Sequence, residues 1–269
     1  MAAPTLGQPT GTGTTATLTQ PRGQAVDVLD SLAVKGRAPI TGYDREQFGQ
    51  AWLDADRNGC DTRNDVLKRD LTGTIFKPGT RNCLVLKGTL ADPYTHTQID
   101  FVRGDGDLVD IDHVVALGNA WVTGAFRWED RKRAALANDP MNLLAVDASA
   151  NRQKGDGDAA TWLPRSKAFR CDYVARQVAV KAKYGLWVTV AEKAAITRVL
   201  DGCPGQRVPA DSGAPVLVPV RVNRSTERDG GGLYADCAAA RAAGAAPVHR
   251  GDRGYSRQLD RDGDGTACE

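Results

Sequence analysis

A chain of 269 residues, 41% hydrophobic and 25% charged, is long enough to bury one substantial core and still carry a small extra module. No apolar run reaches the ~20 residues that a membrane-spanning helix needs, so that class is excluded. A formal net charge of +2 is too small for bulk charge alone to draw the chain to nucleic acid or to a membrane surface.

Residues 1–22 are rich in Thr, Gly and Pro and are expected to form a flexible leader. Residues 25–34 place apolar side chains at helical spacing and stop at Lys35-Gly36. A second helix is expected over 43–53, with Phe48 and Trp52 one turn apart, and a third over 61–71. Residues 84–90 and 98–102 alternate as strands around a turn at Asp92-Pro93. Helical patterns follow at 114–122 and 128–137, then a short strand at 142–146, a helix after Asn151, and a longer helix at 167–184. Thr189 and Glu192 form a capping box for the last helix of this body, and Gly202 follows its end. Residues 204–232 are rich in Pro and Gly and read as a linker. The expected organisation is therefore a leader (1–22), a body (23–203), a linker (204–232) and a terminal module (233–269).

The six cysteines contain no CxxC pair, which argues against a zinc ribbon or a thioredoxin site. An even number at wide spacing points to disulfides and an oxidising compartment. Six cysteines admit 15 pairings; the nearest-neighbour set is Cys60–Cys83, Cys171–Cys203 and Cys237–Cys268. The opening residues lack the basic end and apolar core of an export signal. The expectation is a secreted protein whose signal peptide has been removed ahead of them; the alternative is a cytosolic protein with reduced thiols.

The chemistry concentrates in DIDHVVALGNAWVTG and, about thirty residues on, NLLAVDASANRQKGD. They supply Asp112, His113, Asn142 and Asn151. A carboxylate and an amide oxygen suit a hard divalent cation. A neutral imidazole beside it can take a proton from water. Metal and base together are the minimum for metal-assisted hydrolysis of a phosphodiester. Of the three histidines, His113 alone stands at a strand-to-helix corner; His96 and His249 lie in turn-like stretches and read as surface residues. Arg152 and Lys154 follow Asn151 on the expected helix, and Arg103 precedes a Gly-Asp turn; all three are candidates to grip phosphates flanking the scissile bond. Between 151 and 184 the chain carries eight Lys or Arg against three Asp, which suits phosphate contact or a solvated helix face.

On these residues, 99–163 resembles the HNH branch of the ββα-metal nucleases. More narrowly, nearly all of 24–203 resembles a family of exported actinobacterial HNH-type proteins. The resemblance implies an α+β fold, a mostly helical body around a ββα-metal core. It implies His113 as general base, Asp112 and Asn151 as ligands of one Mg²⁺ or Mn²⁺, and Asn142 as the residue that bonds loop backbone and aims the histidine. It also implies a metal-dependent endonuclease, acting as a monomer on DNA, possibly RNA, and leaving 5′-phosphate and 3′-hydroxyl ends. No base-reading element is evident, so little sequence preference is expected.

The chain ends LDRDGDGTACE. Alternating Asp260, Asp262 and Asp264 before Gly265 resemble the opening of an EF-hand loop, shortened so that Glu269 closes it. Residues 233–269 resemble the Excalibur module, which implies Ca²⁺ held by Asp260, Asp262, Asp264, Thr266 and Glu269, and a Cys237–Cys268 bridge. A second D-x-D-x-N-G string runs through Asp54, Asp56, Asn58 and Gly59, with Asp65 at position twelve; it reads as a polar turn beside Cys60. The competing reading for the whole chain is a noncatalytic cell-envelope protein that binds calcium and adheres, with a nuclease-like body. The intact Asp-His, Asn and Asn set favours the enzyme.

Overall fold

The computed structural model describes residues 22–104, 108–210, 234, 237–249, 254–255, 259 and 266–268. The chain forms two compact units, Met1–Val222 and Asn223–Glu269, and the architecture is α+β.

The first unit opens with α1 (Ala25–Ser31). It is shorter than the apolar spacing suggests, because Ala33 and Lys35 bond to Val188 backbone instead of extending the helix. The helix expected over 43–53 is reduced to a single 3-10 turn, Arg45–Phe48, capped by Asp44. Two observations explain the loss. Gly49 and Trp52 have positive φ, and Leu53 N donates to the side chain of Asn138, 85 residues away, at 3.0 Å. Tertiary bonding overrides a helical pattern here.

Next come α2 (Thr62–Asp70), capped by Asp61 on Asn64 N, then β1 (Leu71–Phe76), β2 (Val85–Ala91) and β3 (Gln98–Val102) in one antiparallel sheet of that order. β1 was not expected; its LTGTIF string is weak in apolar alternation and becomes a strand by pairing with β2. Then follow β4 (Val109–His113), α3 (Leu117–Val122), α4 (Asp130–Ala137), β5 (Leu143–Asp147) and α5 (Ala148–Lys154). A 3-10 turn, Lys167–Phe169, takes the first residues of the expected long helix, which is α6 (Arg170–Tyr184). The capping box of Thr189 and Glu192 opens α7 (Val190–Leu200).

The unit is organised around β4 and β5. They pair antiparallel, His113 with Leu143 through Val109 with Asp147, although α3 and α4 lie between them in the chain. Strand alternation sends side chains to two faces. Val109, Ile111, Leu143 and Ala145 pack with Val66, Leu67, Leu90 and Phe101 in one apolar cluster. Leu144 and Val146 join the larger cluster with Tyr173, Val178 and Ile196. The hairpin is thus held between two cores, and α5 packs against both of its strands. Disulfides Cys60–Cys83 and Cys171–Cys203 staple this unit; each contributes on the order of 2–4 kcal/mol. No described helix is long and apolar enough to cross a membrane.

In the second unit, α8 (Cys237–Ala242) and a two-residue pairing of β6 (Val248–His249) with β7 (Thr266–Ala267) surround Ala240, Val248 and Ala267. Cys237 and Cys268 are bonded. Asp260, Asp262, Asp264 and Glu269 lie outside the described residues, as does the side chain of Thr266.

Candidate active site

β4, β5 and α5 form a ββα unit, and a cleft of about 230 Å³ opens beside it. Asp112 and His113 from the end of β4 line it with Asn151 of α5. Tyr43, Arg45, Leu117 and Asp156 are also in its wall. Three residues singled out in the sequence are therefore brought to one cavity.

His113 is 7% exposed. Its Nε2 lies 2.9 Å from Ala137 O. A carbonyl oxygen only accepts, so Nε2 carries the proton and Nδ1 is the ring's remaining acceptor. Trp52 stacks on the imidazole, with centroids 6.3 Å apart and planes 10° from parallel. Burial, then the nearby positive charge of Arg45, lower the His113 pKa to about 4, so the ring is neutral at pH 7.

Asn142 is fully buried and latches the chain just beyond His113. Its Oδ1 accepts from Val115 N at 2.8 Å, its Nδ2 donates to Val115 O at 3.2 Å, and its own carbonyl accepts from Val114 N. The loop that leaves β4 is thereby fixed.

Asp112 is 4% exposed. Its Oδ2 accepts from Tyr94 OH at 2.5 Å and its Oδ1 from Lys154 Nζ at 2.9 Å. Each carboxylate oxygen has two acceptor positions, so these bonds leave one on each. Asn151 donates Nδ2 to Asp110 Oδ2 at 3.1 Å, which leaves its carbonyl oxygen as an acceptor. One carboxylate and one amide oxygen form an oxygen-only set that fits a hard cation. Among the described residues no three His, Cys, Asp or Glu side chains converge so as to hold a metal ion by themselves.

Two of the expected phosphate contacts, Lys154 and Arg103, have protein partners in the structure. Lys154 is sealed from solvent, and its ammonium is shared between Asp112 Oδ1 and His113 O, both at 2.9 Å; it cannot reach a substrate. Arg103 is half-buried and donates Nε to Val85 O and Nη2 to Asn64 Oδ1, each at 2.6 Å. Arg152 is exposed on α5. His96 and His249 are exposed as well.

The string at 54–65 folds as a turn that bonds to itself. Gly59 N donates to Asp54 Oδ2, and Asn58 Nδ2 bridges Asp56 Oδ2 and Asp65 Oδ1. Burial and the neighbouring carboxylates of Asp56 and Asp54 raise the Asp65 pKa.

Sequence reasoning missed Arg45, Trp52 and Tyr94. Each reaches the site from a segment distant in the chain, and no local spacing signals it. Gly118 was also missed: a Cβ there would lie 2.4 Å from the Asp156 carboxyl, whose Oδ1 accepts from Gly118 N at 3.1 Å.

Comparison with known proteins extends this picture. The profile of the GmrSD restriction endonucleases, C-terminal domain, matches residues 61–199. The profile of the Excalibur calcium-binding domain matches residues 234–269. A curated relative, an uncharacterized secreted protein of Arthroderma benhamiae, is 36% identical over 181 residues, covering 66% of this chain and 84% of the relative. No solved structure gives a significant match.

Proposed function

The chain belongs to the family of the GmrSD restriction endonuclease C-terminal domain, and from that premise we propose that it is an exported, divalent-metal-dependent endonuclease. Its substrate is DNA in the first place, cleaved with little sequence preference to 5′-phosphate and 3′-hydroxyl ends. The observation that carries this reading is the convergence of Asp112, His113 and Asn151 on one cleft.

His113 acts as the general base. Its Nε2–H is committed to Ala137 O, so Nδ1 takes the proton of the attacking water. A pKa of about 4 keeps the ring in its basic form throughout the physiological range, at some cost in basicity. Asn142 holds the loop behind the ring. Asp112 and the carbonyl oxygen of Asn151 would hold one Mg²⁺ or Mn²⁺. When bound, that cation stabilises the charge that builds on the nonbridging and leaving oxygens of the phosphate. Arg45 at the cleft wall and Arg152 on the exposed side of α5 meet flanking phosphates. The terminal module takes Ca²⁺ through Asp260, Asp262, Asp264, Thr266 and Glu269, a reading supported by its family match.

Plasmid DNA and RNA incubated with the protein under Mg²⁺, Mn²⁺, Ca²⁺ or EDTA test this directly. Cleavage is expected with Mg²⁺ or Mn²⁺ and should be absent in EDTA; equal cleavage in EDTA overturns the metal's part. His113→Ala should fold and lose at least about 100-fold in rate, the usual worth of a general base. Wild-type rates in that variant overturn its assignment.

A further inference from the structure

The turn between β2 and β3 touches both elements that carry the candidate cation ligands. Tyr94 is 0% exposed, and its hydroxyl donates to Asp112 Oδ2 at 2.5 Å. Its ring is boxed edge-on by Trp162 and Tyr173, with centroids 5.0 and 5.7 Å away, and its carbonyl accepts from Ser166 N at 2.8 Å. Burial and the Asp112 carboxylate raise the phenol far above its ordinary value, so it remains a donor.

Two residues earlier, Asp92 is 1% exposed. Its Oδ1 accepts from Asp147 N at 2.9 Å, while its Oδ2 accepts from Thr95 N at 2.7 Å and from Thr95 Oγ1 at 2.5 Å. Asp147 is the N-cap of α5, its side chain accepting from Ala150 N at 2.7 Å. Asn151 follows on the next residue of that helix.

A phenylalanine would fill the aromatic box around Tyr94 equally well. What the hydroxyl adds is an oriented bond to one carboxylate oxygen. Partners of this kind fix the direction in which a ligand presents its free lone pairs. Asp92 does the corresponding work for the helix that presents Asn151.

We infer that the Asp92–Tyr94 turn is a positioning clamp for the cation site, with Tyr94 setting the Asp112 carboxylate and Asp92 setting the start of α5. The inference rests on the assignment of Asp112 and Asn151 as ligands of a divalent cation.

The test uses the full chain and its Tyr94→Phe, Asp92→Asn and Asp112→Asn variants. Mn²⁺ binding is followed by calorimetry without nucleic acid. The heat lost in Asp112→Asn defines the cleft's own binding, so any heat from the terminal module cancels. Tyr94→Phe and Asp92→Asn should each bind Mn²⁺ roughly 10–100-fold more weakly, and their cleavage rate should recover as Mn²⁺ is raised. A purely structural role would lower Tm and leave the Mn²⁺ affinity of the folded protein unchanged; that result in either folded variant overturns its half of the clamp. The two variants disturb different bonds, so each half is tested separately. If the wild type shows neither Asp112-dependent heat nor cleavage, the assignment of function falls and the clamp with it. If the wild type binds and cleaves but both variants match it, only the clamp falls.

Discussion

Lys181 and Lys154 are both sealed from solvent against a carboxylate, yet their surroundings differ on one side. Lys181 of α6 lies 3.0 Å from Glu192 Oε2 of α7, 3.0 Å from Asn119 Oδ1 and 3.1 Å from Trp187 O. Protein encloses it completely. Burial pulls the Lys181 pKa down and pushes the Glu192 pKa up, so the core opposes both charges. Such a pair ties two helices in one arrangement and adds little net stability. Lys154 of α5 meets Asp112, whose carboxylate also lines the cleft. The same chemistry with one face open to a cavity can present a ligand as well as hold a fold.

The difference is testable in order of expected size. Lys181→Met strands the Glu192 charge in the core and should cost about 3–5 kcal/mol in denaturant unfolding. The double variant Lys181→Met with Glu192→Leu should regain most of that, and nuclease rate should follow the folded fraction. Lys154→Met should destabilise on a similar scale, about 3–5 kcal/mol. Its partner swap, Lys154→Met with Asp112→Asn, should restore stability but not cleavage. If cleavage also returned, the two pairs would be equivalent and the contrast would be lost.

His113 sharpens the contrast through pH. Its folded pKa is about 4, below the ordinary value of about 6.5. The folded state therefore disfavours the protonated ring. The resulting stability is complete above about pH 6.5 and is lost as pH falls towards 4. In metal-free protein the loss should be about 3 kcal/mol, read as a falling Tm that His113→Gln flattens. At the small end, Lys193 and Asp30 form an ion pair at the surface, 2.9 Å apart. Lys193→Ala should change stability by less than about 1 kcal/mol.

Much of the site could be read in the chain because the motif is local. Val109 and Ile111 alternate with Asp110 and Asp112, which fixes β4 and places His113 at its end. Asn151 falls on the helix that follows β5. The capping box at Thr189 was equally plain, since both partners lie within one turn. What could not be read depends on contacts far apart in sequence. Lys154 looked like a surface cation because its partner Asp112 lies 42 residues away on another element. The helix expected over 43–53 failed for a similar reason, its backbone being claimed by Asn138. Tyr94 carried no signal at all, since only the fold brings its hydroxyl to Asp112 of β4, 18 residues away. The nearest-neighbour cysteine pairs are the bonds found, as short loops between bonded residues favour.

Two of those bonds lie in the unit that bears the cleft. At on the order of 2–4 kcal/mol each, together they rival the whole folding margin of an ordinary domain, about 5–15 kcal/mol. A glutathione-rich cytosol would deprive a newly made chain of that support. The folded cleft would then form only in an oxidising compartment.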